Sequence, residues 1–174
     1  MKKLSAFFLA SFFLACAKGG GENPDTAGYR DPGGLFQLTG PAAWRIMEKT
    51  GGAQRVSFFG PPSGPKPYNA MISIYHYGNA GDYRTPKDYM SARTLNALTA
   101  TPPVENAHGA GSLEFSSERA SAPMHGLAAE KITERAVLIP GREGFFALIH
   151  SAPTADASQT RPAFEQILKS FRTQ

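Results

Sequence analysis

The 174-residue chain carries a single cysteine, Cys16. No internal disulfide can form, so an apolar core alone must hold the folded part together. No apolar run approaches the ~20 residues that a membrane-spanning helix requires. Beyond residue 18 no cluster of lysine and arginine stands out, so the basic stripe of a nucleic-acid partner is missing. There is no Gly-x-Ser-x-Gly elbow. The four histidines, His76, His108, His125 and His150, form no i,i+4 pair and no metal-ligand spacing with carboxylates. Asp156, Glu165 and the other acids are scattered, and no glycosidase pair can be nominated. Neither an internal repeat nor a second domain is visible. On these grounds no catalytic residue, metal ligand or cofactor is expected, and the chain reads as something other than an enzyme.

What is present begins at the N-terminus. Lys2 and Lys3 form a positive segment. Leu4 to Ala15 follow as a short apolar run rich in phenylalanine and leucine, too short to cross a bilayer. A positive start, a short apolar core and a small residue before the cut mark a secretory signal. The tetrapeptide Phe13-Leu14-Ala15-Cys16 resembles the lipobox of bacterial lipoproteins, although Phe13 and Leu14 depart from the usual residues there. That resemblance implies acylation of the Cys16 thiol, cleavage before Cys16 and attachment to a membrane through the acyl chains. At ~0.8 kcal/mol per buried methylene, two or more such chains make a stable anchor. The same resemblance implies a location in the cell envelope, facing away from the cytoplasm. Ala17 stands where an inner-membrane retention signal would place Asp, which leans toward an outer membrane where two membranes are present.

Cleavage of residues 1–15 removes Lys2 and Lys3, so the formal charge of +4 falls by two. Residues 16–33 read as the lipidated cysteine and a flexible tether, because Tyr29 is its only large apolar side chain. A Gly-rich coil of that length extends roughly 20–25 Å. The Gly19-Gly20-Gly21 run lacks the strand, helix and Gly-Lys-Ser/Thr ending of a phosphate loop and reads as linker. Residues 34–174 are then one domain. A chain of that size buries roughly 68% of its unfolded surface, enough for a core without cross-links.

Within the domain, Leu35 to Thr39 alternate as a short strand, and Trp44 is expected as a core plug. Arg55 to Phe59 is a second strand with Val56 and Phe58 on one face. Residues 60–67 are a Pro-rich loop, expected as an extended excursion. Ala70 to Tyr77 is a strand apolar on both faces. Thr85-Pro86-Lys87-Asp88 starts a helix, with Thr85 as cap, expected to run to about Leu98. Ser112 to Glu118 alternates cleanly, with Leu113 and Phe115 inward. Leu127 to Ile139 reads as a long strand. Pro140-Gly141 suits a type II turn into a strand over 144–151 that is apolar on both faces. Such a strand needs cover on both sides. Phe164, Ile167, Leu168 and Phe171 supply an amphipathic helical stripe, with Glu165 and Lys169 as an exposed pair. The expected fold is α+β, a mostly antiparallel β-sheet sandwiched by helices. The tyrosines Tyr75, Tyr77, Tyr83 and Tyr89 read as sheet packing rather than the lining of a groove.

This pattern is similar to the PsbP-like fold, shared by extrinsic photosystem II subunits, the yeast Ran-release factor and bacterial lipoproteins of the DcrB type. The resemblance rests on Gly34 to Leu38 followed by Pro41-Ala42-Ala43-Trp44, on the helix from Lys87-Asp88-Tyr89, and on the ending Gly144 to Leu148 with Phe164 and Ile167 to Phe171. These are packing motifs and transfer no catalytic role. They imply an accessory or binding protein: a membrane-anchored envelope lipoprotein with an envelope protein partner. Solute binding and a small envelope hydrolase are the alternatives.

Overall fold

The computed structural model describes residues 25–121 and 128–174. The segment 1–15 expected to be cleaved, Cys16, the expected tether as far as residue 24, His125 and the Leu127 start expected for the long strand lie outside the described residues.

The described chain forms, in order, β1 (Thr26–Arg30), β2 (Phe36–Pro41), β3 (Arg45–Glu48), β4 (Gln54–Phe59), β5 (Met71–Tyr77), α1 (Pro86–Thr94), β6 (Thr99–Ala100), β7 (Val104–Glu105), β8 (Leu113–Ala120), β9 (Lys131–Pro140), β10 (Phe145–Pro153), α2 (Ala157–Ser170) and β11 (Arg172–Thr173). The large sheet runs β3-β4-β5-β10-β9-β8-β6, with β7 also on β8, and a small sheet runs β1-β2-β11. All pairings between these strands are antiparallel. The fold is α+β, as the residue pattern predicts.

The centre is β10, because each of Phe145 to His150 is buried. Alternation divides them between two cores. Phe146 and Leu148 point with Val56, Phe58, Ile72 and Ile74 toward Phe164, Ile167 and Phe171 of the α2 segment. Phe145, Ala147 and Ile149 point the other way, with Leu113, Phe115 and Leu138, toward Tyr89 of α1. Thus each helix covers one face of the large sheet. The small sheet shares the α2 face, contributing Tyr29, Phe36 and Leu38 to that core.

Several expectations are corrected. The tether was expected to reach residue 33, yet Thr26–Arg30 pair with Gln37–Pro41. Tyr29 is buried among Phe36 and Phe58, so the one large apolar side chain in the segment suffices to draw it into the sheet. Asp31, also buried, fixes the turn that follows: its carboxylate accepts from Leu35 N at 3.2 Å and from Arg55 Nε at 3.3 Å. Trp44 is only half-buried and packs at the margin of the α2-side core. The first helix stops at Thr94, and Leu98 is 61% exposed. Its backbone N–H bonds Glu118 O instead, so pairing with the sheet edge outcompetes another helical turn. The Pro-rich loop is a tight hairpin rather than an excursion, with Ser63 and Lys66 exchanging backbone hydrogen bonds. The long strand begins at Lys131, after the irregular residues 128–130. The β9–β10 turn spans residues 141–144. There Gly144, not Gly141, has positive φ (95°), and a Cβ at that position would meet Tyr77 O and Gly78 Cα. The Thr85 cap is as expected, with reciprocal bonds between Thr85 and Asp88.

Candidate functional site

Among the described residues the histidines do not converge. His76 Nε2 lies 2.9 Å from Glu143 O, and its ring packs on Phe146. His108 Nε2 lies 2.7 Å from Glu114 Oε2. His150 is buried between β10 and α2. His125 and Cys16 are outside the described residues. Among the described residues no group of three or more His, Cys, Asp and Glu side chains is placed to hold a metal. Tyr77, Tyr83 and Tyr89 pack edge-on or tilted at 5.1–5.3 Å, and Tyr75 stacks on Tyr77. Burial raises the phenol pKa of Tyr77 to about 12 and that of Tyr89 further. These tyrosines form the core beneath α1, which agrees with the packing reading.

His150 carries a pH dependence. Its Nε2 lies 2.8 Å from Thr160 Oγ1, which itself donates to Asp156 O. Thr160 must therefore accept, and the imidazole is neutral with its proton on Nε2. Burial, with a smaller push from Arg135, lowers its pKa from 6.5 to about 4. The folded state thus binds fewer protons than the unfolded state between these values. The contribution is complete above pH 6.5 and is lost as pH falls toward 4, by about 3 kcal/mol at most. Urea midpoints at pH 7 and pH 4.5 should diverge less in His150→Gln than in the wild type. Equal divergence would remove His150 as the cause.

Arg135, on the same face, bridges two carboxylates. Its Nε donates to Glu114 Oε1 at 2.7 Å, and Nη1 bonds Glu165. Burial opposes ionisation of Glu114, but the bonds from Arg135 and His108 prevail and hold its pKa below the usual range. Glu165 of α2 therefore pairs with Arg135 of β9 on the α2 face of the sheet, where the expected partner was Lys169. Arg135 also lies over the Phe164 ring at 5.4 Å.

The opposite face holds the most concentrated polar group. Alternation along β9 sends Ala136 and Leu138 into the α1-side core, and it sends Glu134 there too. Glu134 is 3% exposed. A single oxygen, Oε1, accepts from Arg93 Nη2 of α1 at 2.8 Å and from Ser151 Oγ of β10 at 2.8 Å, and forms an ion pair with Arg119 Nη2 of β8 at 2.7 Å. Burial works against the Arg93 charge, but Glu134 outweighs it and raises the guanidinium pKa. Beside this cluster a cavity of 240 Å³ opens between α1 and the sheet, lined by Tyr83, Ala92, Arg93, Asn96, Ala97, Ser117, Arg119 and Glu134. None of its charged residues was nominated from the sequence. The available signal was a glutamate at an inward position of an otherwise apolar strand face.

The outer edge of the large sheet, β3, is exposed at all four residues. Ile46 and Met47 are 41% and 47% exposed, and among the described residues no strand pairs with that edge.

No family model matches the sequence, and comparison with curated proteins finds no match. Solved structures do match. The cyanobacterial PsbP of Synechocystis sp. PCC 6803 is similar over 91% of this chain and 98% of its own, at 12% identity and a TM-score of 0.55. The Ran-binding protein Mog1p of Saccharomyces cerevisiae is similar over 84% of this chain and 94% of its own, at 9% identity and a TM-score of 0.56. A protein of Bacteroides thetaiotaomicron VPI-5482 is similar over 86% of this chain but 49% of its own, at 14% identity and a TM-score of 0.55. At these identities the likeness is one of fold.

Proposed function

We propose that this chain is a lipid-anchored protein of the cell envelope, a lipoprotein of the DcrB type, whose PsbP-like domain acts without catalysis to hold a protein partner. The observation that carries the reading is Phe13-Leu14-Ala15-Cys16, set immediately ahead of the domain. From Cys16 to Asp25 the chain can span at most ~30 Å even fully extended. Acylation at Cys16 therefore keeps the first strand, and the domain with it, close to the membrane surface. Tethering at that range raises the effective concentration of the domain toward other envelope proteins. The exposed β3 edge supports the binding role, since an unpaired strand offers backbone donors and acceptors to an extended segment.

The test is fractionation and crosslinking. Cys16→Ser should shift the protein from the membrane fraction to a soluble or unprocessed pool, and unchanged fractionation of the variant would refute the anchor. Crosslinked envelope membranes should give a discrete protein partner with the wild type that is lost with Cys16→Ser. The same yield from both would refute an anchor-dependent partner.

A further inference from the structure

We infer that the cavity between the end of α1 and the large sheet is a binding site for a small monocarboxylate. This inference stands apart from the anchoring and partner reading and can fail without it.

Charge is the first argument. Two guanidiniums, Arg93 and Arg119, meet one carboxylate, Glu134, so the cavity wall carries one uncompensated positive charge. The pair Lys131–Glu118 nearby is internally balanced. One surplus charge suits a monoanion, and a doubly charged oxyanion would be left half-neutralised. The carbonyl end of α1 opposes an anion, with the partial negative charge of a helix C-terminus. That pole is blunted here, because the Thr94 hydroxyl donates toward the Met90 and Ser91 carbonyls and Ala97 N–H bonds Thr94 O.

The second argument is unspent hydrogen-bonding capacity. Arg93 Nε is buried without a partner. Ser117 is 4% exposed and lines the cavity, and its hydroxyl makes no hydrogen bond among the described residues. The Asn96 amide lines the rim and is likewise unbonded. Buried polar groups are as a rule paired, so the orphaned Arg93 Nε at this void points to an occupant that accepts hydrogen bonds, with the Ser117 hydroxyl and the exposed Asn96 amide within the same lining. A carboxylate accepts at both oxygens and matches the planar fork of arginine.

Size and lining set the class. At 240 Å³ the cavity falls below the ~300 Å³ at which sites for larger ligands begin. The Tyr83 ring and the methyls of Ala92 and Ala97 supply an apolar wall. That wall suits the short hydrocarbon part of an organic acid better than a bare inorganic ion.

The experiment uses the mature full-length protein in detergent, labelled with ¹⁵N-arginine, titrated at constant ionic strength with sodium acetate, sodium benzoate and sodium phosphate. The Nε–H resonances of Arg93 and Arg119 should move saturably with acetate or benzoate. Arg119 is about half-exposed, so Arg119→Gln should fold, and it should weaken that binding about ten- to hundredfold, as expected for loss of one charged hydrogen bond. Asn96→Asp, an exposed change that places a negative charge on the rim, should weaken it as well. No saturable shift with either carboxylate would overturn the inference, as a cavity that holds only water would give. Unchanged binding in both variants, or tighter binding of phosphate than of acetate, would overturn it too.

Discussion

Phe164→Ala should destabilise the protein by about 3–5 kcal/mol, the range for removing a fully buried aromatic ring. Phe164 is 0% exposed and sits where α2 meets the large sheet. Its ring stacks on His150 at 5.6 Å and lies beneath the Arg135 guanidinium at 5.4 Å. Truncation would leave a void against β10 and strip the apolar neighbour from a buried imidazole. The loss would then exceed the transfer term alone, because the paired strands β5, β10 and β9 cannot close on the gap without breaking ladder hydrogen bonds. Urea denaturation followed by tyrosine and tryptophan fluorescence reads the change directly. A shift worth less than about 1 kcal/mol would mean that α2 is not packed as described.

The stripe that places Phe164 is legible without coordinates, since Phe164, Ile167, Leu168 and Phe171 recur at helical spacing and all are buried. So is the double-sided burial of β10, because Phe145 to Ile149 leave no polar face for solvent. The strands that escape sequence reading share a physical reason. β6, β7 and β11 are two residues each, and β3 is fully exposed, so none carries a hydrophobic period. They exist because neighbouring strands offer unpaired backbone groups. β1 escapes differently: Pro24, Gly28 and Pro32 around it read as linker, and only Tyr29 signals burial. Tertiary pairing decides these segments, and local composition does not encode it.

The candidate site is less legible for the same reason. Arg93, Arg119 and Glu134 come from a helix and two strands, and no spacing links them. Only the registry of β9 with β8 and β10 sets Glu134 beside Ser117 and Ser151, and only the docking of α1 brings Arg93 over it. Lone charges in a sequence are ordinarily solvated, so they carry no signal until a topology converges them. The lipobox is the opposite case. As proposed above, its signal would lie in the contiguous residues Phe13 to Cys16, so it is visible in the sequence and owes nothing to the fold.

The second large effect is expected at that convergence. Glu134→Ala should cost about 3–4 kcal/mol, near the lower end for breaking a buried ion pair, because Arg93 retains some access to water. The substitution removes the acceptor of two donors, Arg93 Nη2 and Ser151 Oγ, and the counter-ion of Arg119 at once. Arg119 is half-exposed and can turn outward. Arg93 cannot do so as freely, since α1 holds it above Tyr89 and the β9 face, and it would be left charged in a site whose anion is gone. The cost is therefore mainly that of an uncompensated cation rather than of lost attraction. This makes a sharp distinction testable by a double-mutant cycle. Arg93→Leu added to Glu134→Ala should recover about half of the loss, because it removes the stranded charge and returns apolar surface to the α1 contact. If the two losses simply add, Arg93 and Glu134 are energetically independent, and the pair does not hold α1 to the sheet.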